Sequence, residues 1–268
     1  MTILEIYIAY LLALVPAIVI LIYVYNKDLF PENKRDVVIA FLLGASIVLP
    51  LDFLIPIVEE ANDSFFIGIG NVFFMEFFRA ALLEETLKFM VLFYFASKLT
   101  NFNEPMDAIV FGVAASVGYA AHENLGYVFH PDFAEYGAFN IAFDRAFSAI
   151  PLHALCGATM GLFFGLALFY EKQRNRNLFL SLFLPVVIHG SYNFFWSLNV
   201  GIAAYILLIF LLIKSSAIME TLQMDQSLRK VEDIEQVTTI KDIEIFTNVF
   251  YIGILIIVAA ITLEVFFQ

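Results

Sequence analysis

The sequence predicts an all-α fold, a polytopic integral membrane protein whose helical bundle contains about eight transmembrane helices. Hydrophobic residues make up 62% of the 268 residues, charged residues only 15%, and the mean hydropathy is +0.87. A soluble globular chain is nearer half apolar and a quarter charged. Apolar stretches of about 20 residues, long enough to cross a bilayer as a helix, recur along the chain. The lipid bilayer is therefore the first predicted partner.

The eight predicted spans follow these apolar stretches in chain order. Their approximate bounds are residues 3–25, 37–58, 72–95, 108–129, 145–169, 178–196, 202–213 and 245–267. The N-terminal stretch MTILEIYIAY lacks the basic region and the cleavage site of a secretory signal, so we expect it to remain as the first helix. Pro50 and Pro56 are expected to bend the end of the second span, because proline lacks the N–H that a helix uses. The seventh span, after a short break at LNVG, is short for a crossing.

The charges of the loops support this count. All lysines and arginines of the predicted loops fall in odd-numbered loops, whereas the even-numbered loops contain acidic stretches such as EEAND and HPDFAEY. Because cytoplasmic loops are enriched in Lys and Arg, this pattern predicts a multi-pass protein of the cell (plasma) membrane with both termini extracytoplasmic. We expect one membrane domain over residues 1–268, with core helices at 72–196, a cytoplasmic loop at 214–244 and a final transmembrane helix at 245–267.

Composition also excludes some partners and cross-links. The formal net charge of −12 argues against nucleic acid as a partner, because the nucleic-acid backbone attracts basic surfaces. Cys156 is the single cysteine and lies in an apolar run, so an intrachain disulfide is impossible.

The third predicted span places four ionisable residues in the otherwise apolar segment FFMEFFRAALLEETLKFMVLFYFA: Arg79, Glu84, Glu85 and Lys88. An ionisable group at bilayer depth costs at least about 2.5–3.5 kcal/mol, so it normally faces a cavity or a partner. Lys88 is three residues after Glu85 and four after Glu84, within reach of either on a helix. We expect one glutamate to face a cavity and act as a base, and the other to pair with Lys88 or Arg79. The alternative is a buried ion-pair patch that only fixes helix packing.

The fourth predicted span carries a second polar group within GYAAHENLGY. His122, Glu123 and Asn124 are consecutive, so they cannot share one helix face. Tyr119, Glu123 and Tyr127 recur every four residues and can share one, so a tyrosine on each side could hydrogen-bond the carboxylate. For His122 alone, a packing histidine is an equal alternative.

The fifth and sixth spans add more polar residues. Arg145 lies at the mouth of the fifth span and His153 two turns further in; in HGSYN of the sixth, His189 and Asn193 are four apart, on one face. A lone intramembrane histidine is more often structural than catalytic. Two of them, together with three glutamates on four different helices, indicate a functional site. His130, in an outer loop, is expected to be solvated.

These residue types can hydrolyse a peptide bond in two ways, and both stay open at this point. A carboxylate in a wet cavity can act as general base on water, while a histidine or asparagine stabilises the oxyanion. Alternatively, His153, His189 and Glu123 could hold Zn²⁺ and leave one coordination position for water. The chain has no HExxH motif, no GxSxG motif and no paired intramembrane aspartates. The candidate catalytic residues are Glu84, Glu85, Lys88, Glu123, Asn124, Arg145, His153, His189 and Asn193.

Four motifs, one in each successive span, resemble those of the PrsW family of intramembrane proteases, which is distantly similar to the CAAX prenyl proteases. They are EETLK at residues 84–88, ENLGY at 123–127, Arg145 followed by His153, and HGSYN at 189–193. The resemblance implies site-one cleavage of a membrane-anchored anti-sigma factor, which releases a stress sigma factor. It also implies that Glu84, Glu85 and His189 carry catalysis.

The main hypothesis is therefore an intramembrane endopeptidase whose partner is a single-span, anti-sigma-factor-like membrane protein. An ion or proton-coupled transporter or channel is one alternative, because intramembrane carboxylates and histidines also mark ion paths. A non-catalytic membrane scaffold is the other. The predicted topology places the polar residues between the midplane and the outer leaflet. We accordingly expect water to enter past Arg79 and Arg145, and the cut to fall near the extracytoplasmic end of the substrate's span.

Overall fold

The computed structural model describes residues 3–65, 67–131, 134–170 and 173–232, and the regular elements within these ranges are helices. The predicted eighth span and residues 233–244 of the predicted loop lie outside the described residues. The α-helices are α1 (Ile3–Lys27), α2 (Lys34–Ala45), α3 (Val48–Phe65), α4 (Gly68–Phe74), α5 (Leu83–Tyr94), α6 (Pro105–Phe129), α7 (Ala138–Phe147), α8 (Ala149–Phe169), α9 (Arg174–Ser197) and α10 (Gly201–Glu232).

Several of these helices are long and apolar enough to cross a membrane. Within the described ranges five segments qualify: Ile3–Lys27, Lys34–Glu60, Ala138–Phe169, Arg174–Ser197 and Gly201–Ser227. The all-α, polytopic membrane fold is confirmed at this level. The predicted third and fourth spans are also helical, but their charged and small residues leave them outside this group of five.

The second predicted span is broken earlier than its prolines suggested. Helix α2 ends at Ala45 and α3 begins at Val48, so Pro50 occupies the first turn of α3. A proline ring in a continuous helix would clash with the carbonyl four residues earlier, which here belongs to Ser46. The break at Ser46 removes that clash, and Pro50 lies where a missing N–H is tolerated.

The third predicted span changes its winding before its two adjacent glutamates. Helix α4 passes into a π-helical segment, Met75–Leu82, which passes into α5. A π-helical turn closes hydrogen bonds over one more residue than an α-turn, and it occurs mostly at functional sites. Glu84 and Glu85 lie in the first turn of α5, directly after this wider segment.

Helix α6 is the centre of the bundle, and glycines allow its neighbours to approach it closely. A Cβ atom on Gly112 would overlap the carbonyl oxygen of Gly157 in α8, and one on Gly118 would overlap the carbonyl oxygen of Phe41 in α2. Gly126, in the same helix, faces open space. Backbone-to-backbone packing of this kind is typical of helices in membranes.

The fifth and seventh predicted spans also differ from their expected bounds. The fifth is two helices, because the backbone leaves helical geometry at Ser148, between α7 and α8. Helix α10 continues without a break from the predicted seventh span to Glu232, well into the predicted 214–244 loop. Large apolar side chains of the peripheral helices are exposed, such as Leu4 and Leu11 of α1 and Ile202 of α10, as expected of lipid-facing positions.

Candidate active site

Five helices bring the candidate residues together in one buried group. Helix α5 supplies Glu84, Glu85 and Lys88, α6 supplies Glu123 and Asn124, α7 supplies Arg145, α8 supplies His153, and α9 supplies His189 and Asn193. Gly190 contributes to this arrangement, because a Cβ atom there would overlap the ring of Phe77 in the π-helical segment. The small residue lets α9 pack against that segment, which places His189 beside Glu85.

Lys88 is the central cation of the group. The residue is fully buried, and its Nζ lies 2.8 Å from Oε1 of Glu85, 3.3 Å from Oε2 of Glu84 and 3.0 Å from Nδ1 of His153. The ring of Tyr119 covers the ammonium group, with its centroid 4.4 Å from Nζ. An ammonium has three N–H donors, so Lys88 can satisfy all three acceptors at once.

These contacts fix the protonation of both histidines. Because the Lys88 ammonium can only donate, Nδ1 of His153 accepts, and its Nε2–H donates to Oε2 of Glu123 at 3.1 Å. An ionised carboxylate can only accept, so Nδ1–H of His189 donates to Oε1 of Glu85 at 2.9 Å. In the neutral imidazole, this leaves Nε2 of His189 with its lone pair, the form that accepts a proton or binds a metal.

Arg145 links α7 to α6 at the edge of the group. Its Nη2 donates to Oε2 of Glu123 at 2.6 Å, and its Nε donates to Oδ1 of Asn124 at 2.7 Å. The guanidinium also lies over the ring of Tyr127, with Cζ 3.9 Å from the centroid. Asn124 in turn donates from Nδ2 to the carbonyl oxygen of Ala13, at 3.4 Å. Asn124 is thus a positioning residue for Arg145.

The donor set fits a divalent metal ion. Glu84, Glu85, His153 and His189 are all buried, and each offers one ligand atom within 4.8 Å of the others. Carboxylate oxygens and imidazole nitrogens bind Zn²⁺ at about 2.0–2.2 Å. The ligand atoms of one zinc ion are therefore separated by distances comparable to those between the atoms of this group. Oε2 of Glu85 is buried without a hydrogen-bond partner among the described residues, so it is a free ligand atom. Glu123 lies outside this set and contacts His153 instead.

A cavity of about 410 Å³ leads to the group. Its lining includes His153, His189, Asn193, Glu123 and Arg145. The cavity opens where the C-terminal ends of α6 and α9 meet α7, which is the predicted extracytoplasmic end of the bundle. Water and an extended peptide can therefore reach the two histidines from that end.

Two expectations about the charged residues need correction. Both glutamates of the pair contact Lys88, and neither lines the cavity, because positions three and four residues before Lys88 share its helix face. Arg79 takes no part in the group. Its Nη2 lies 2.9 Å from Oε1 of Glu59 in α3, and the side chain is absent from the cavity lining, so only Arg145 is at the cavity.

The position of His122 agrees with the sequence, whereas the contacts of Tyr119, Tyr127 and Glu76 were not predicted. His122 is exposed, away from the Glu123 face. The rings of Tyr119 and Tyr127 cover the cations of Lys88 and Arg145, a contact that four-residue spacing alone did not predict. Glu76 also lines the cavity, and its Oε1 accepts from Oγ of Ser197 at 2.6 Å. The sequence signal that could have revealed Glu76 was a further carboxylate within an apolar span.

Known proteins are similar to this chain in sequence. A family model described as PrsW family intramembrane metalloprotease matches residues 32–217. Protease PrsW of Bacillus subtilis (strain 168) is 35% identical over 67% of this chain and 78% of its own length. Protease PrsW of Oceanobacillus iheyensis is 34% identical over the same shares, and that of Clostridioides difficile (strain 630) is 26% identical over 76% and 85%. No solved structure matches. The resemblance carried by the four motifs is confirmed, and the chain belongs to the PrsW family of intramembrane metalloproteases.

Proposed function

We propose that this protease cleaves a single-span, anti-sigma-factor-like membrane protein near the extracytoplasmic side of the substrate's transmembrane segment, in the cell (plasma) membrane. The family supports peptide hydrolysis. The cavity at the predicted outer end of the bundle is the observation that supports the position of the cut. The identity of the substrate class rests on the resemblance to the family.

The proposed chemistry centres on His189 and Glu85. The Nδ1–H···Oε1 hydrogen bond orients the imidazole and makes its other nitrogen more basic. Nε2 is thereby presented in the form that can take a proton from water. Lys88, in contact with both glutamates, stabilises negative charge on two adjacent carboxyl groups in a buried site.

Arg145 and Asn193 are the residues we assign to substrate binding. Both line the cavity, and Arg145 is held by Glu123, Asn124 and the ring of Tyr127. Donors fixed in this way can bind the substrate carbonyl and stabilise the charge that develops on its oxygen.

Glu84, Glu85, His153 and His189 are the residues that would hold the metal implied by the family. A divalent ion there would polarise the substrate carbonyl and lower the pKa of water. Lys88 contacts three of these side chains directly, so its ammonium group and the metal ion would share the same ligand residues. We propose zinc as the metal, because imidazole together with carboxylate suits it.

Cleavage of a tagged single-span substrate by the purified full chain in liposomes tests this function. Glu85→Gln should abolish cleavage, whereas Glu220→Gln, which changes an exposed carboxylate of α10, should cleave like the parent. Mass spectrometry of the products should place the cut near the extracytoplasmic end of the substrate's span. Undiminished cleavage by Glu85→Gln, or a cut on the cytoplasmic side, contradicts the proposal. Ion flux without cleavage would instead indicate a transporter.

A further inference from the structure

A second cluster of carboxylates lies at the opposite end of α6 from Glu123. Asp28 follows α1, and Glu104 and Asp107 lie at the start of α6. All three are buried, and each offers an oxygen within 4.8 Å of the other two. Sixteen residues of helix separate Asp107 from Glu123, roughly 24 Å at 1.5 Å per residue, so this cluster is separate from the candidate active site.

Glu32, in the loop between α1 and α2, points to a ligand at this cluster. The residue is only 4% exposed, yet neither of its carboxylate oxygens has a hydrogen-bond partner among the described residues. Oδ2 of Asp28 is likewise buried and without a partner there. The Glu32 carboxylate lies close to the carboxyl groups of Asp28 and Asp107, so it faces the cluster. Buried oxygens without partners are rare and destabilising, which requires an explanation.

Neutral groups donate hydrogen bonds to Asp28 and Asp107 within the described ranges. The buried amide of Gln226 in α10 donates from Nε2 to Oδ1 of Asp28 at 2.8 Å and to Oε1 of Glu104 at 2.5 Å. Oδ2 of Asp107 accepts from the backbone N–H groups of Asn103 and Glu104. These contacts orient the carboxylates and carry no charge of their own.

No basic side chain in the described ranges forms an ion pair with Asp28, Glu32 or Asp107. Carboxylates that are buried close together repel one another and lose the solvation that would stabilise their charge. A bound cation would offset this cost by supplying positive charge beside the carboxylates.

We propose that Asp28, Glu104 and Asp107, with Glu32 beside them, bind a hard divalent cation at the predicted cytoplasmic end of the bundle. All the proposed ligand atoms are carboxylate oxygens, which suit Mg²⁺, Mn²⁺ or Ca²⁺ rather than a metal that prefers imidazole or thiolate. Bonds of about 2.0–2.6 Å place two oxygens on opposite sides of such an ion about 4–5 Å apart. The three carboxylate oxygens lie within 4.8 Å of one another, which is compatible with that separation.

The site would join three parts of the chain. Asp28 and Glu32 lie in the loop after α1, Glu104 and Asp107 begin α6, and Gln226 holds α10 against two of the carboxylates. A ligand that binds only the folded protein stabilises it in proportion to its concentration. The cation would therefore hold α1 and α10 against the central helix.

Binding of Mn²⁺ alone to the full chain in detergent tests this site. After chelator treatment, free Mn²⁺ is measured by electron paramagnetic resonance during a titration, and unfolding temperature is measured in parallel. We expect Glu104→Gln to weaken this binding at least about tenfold, because affinity at such sites follows the number of charged ligands. Mg²⁺ or Ca²⁺ should displace Mn²⁺ from these carboxylates. Glu85→Gln, in the candidate active site, should retain the Mn²⁺ binding that Glu104→Gln weakens, while it loses any Mn²⁺ bound at the active site itself.

Two further variants keep the test decisive if Glu104→Gln does not fold. Glu32→Gln should unfold at a higher temperature than the parent without metal, since it removes repulsion, and should gain less from added Mn²⁺. Glu220→Gln, an exposed carboxylate of α10, is the matched control and should behave like the parent. The proposal is overturned if Glu104→Gln and Glu32→Gln bind Mn²⁺ like the parent, or if Glu85→Gln removes all Mn²⁺ binding.

Discussion

Replacing Lys88 by methionine should both destabilise the protein and stop the reaction. Methionine has a similar length but no charge, so the variant leaves Glu84, Glu85 and Nδ1 of His153 without the donor that now lies 2.8–3.3 Å away. Removing one partner of a fully buried ion pair costs about 3–5 kcal/mol, because the remaining charge is uncompensated. We expect the free energy of unfolding to fall by about that amount.

The same change should lower kcat/KM at least about 100-fold. Loss of a residue that orients a catalytic or metal-binding group commonly costs about 10–100-fold, and Lys88 supports two glutamates and one histidine together. Unfolding by a denaturing detergent and cleavage of the tagged substrate measure the two effects separately. Lys98→Met is the matched control, since Lys98 is exposed and its ammonium group lies over the ring of Tyr94, outside the candidate site.

A double variant separates the charge from the shape of the lysine. Lys88→Met combined with Glu84→Gln leaves one ionised carboxylate instead of two, so it should be more stable than Lys88→Met alone. If Lys88→Met unfolds and cleaves like the parent, or if the double variant is the less stable of the two, the electrostatic account of this site is wrong.

Four further predictions concern packing, substrate binding and metal. Gly157→Ala should lower the free energy of unfolding by about 1–3 kcal/mol, because its Cβ would overlap the backbone of Gly112. Gly126→Ala is the control, because this position faces open space and the change should be neutral or slightly stabilising. Equal stability of the two variants would refute this packing. Arg145→Lys should reduce cleavage about 10–100-fold, because an ammonium cannot reproduce two diverging donors to Glu123 and Asn124; parental kinetics would contradict it. His153→Ala should abolish cleavage and the exposed His122→Ala should not, so equal activities would remove His153 from the site. A strong chelator should inactivate the parent, with activity restored by Zn²⁺, and chelator-resistant activity with no metal detected by elemental analysis would exclude the metal.

The sequence predicted the candidate site better than it predicted the breaks between helices. Ionisable residues in apolar spans are expensive, so Glu84, Lys88 and His189 were visible as a set without any structure. The orientation of the Glu84 and Glu85 side chains could not be predicted, because sequence spacing does not tell which face of a helix meets a cavity. The π-helical segment before Glu84 also has no simple sequence signature. The break at Ser148 was missed because residues 145–169 were predicted as one apolar span.

The acidic cluster escaped detection for a different reason. Asp28, Glu104 and Asp107 lie in predicted loops or at their edges, where acidic residues are ordinary. Only the fold shows that these loops meet and that the carboxylates are buried. Gln226 was equally invisible, since it belongs to a segment that the hydropathy pattern assigned to a loop.

The glycine contacts between α6 and α8 set the mechanical tolerance of the active site. Where two backbones touch directly, as at Gly112 and Gly157, no side-chain rotamer can absorb a displacement, so we expect α6 and α8 to keep a fixed separation. We therefore expect a substrate helix not to enter by separating these two helices. The movement that admits it is expected at α7, which is short, separated from α8 by the irregular backbone at Ser148, and carries Arg145 at the cavity. One side of the substrate path would then be rigid, formed by α6 and α8, and the opposite side, α7, would move.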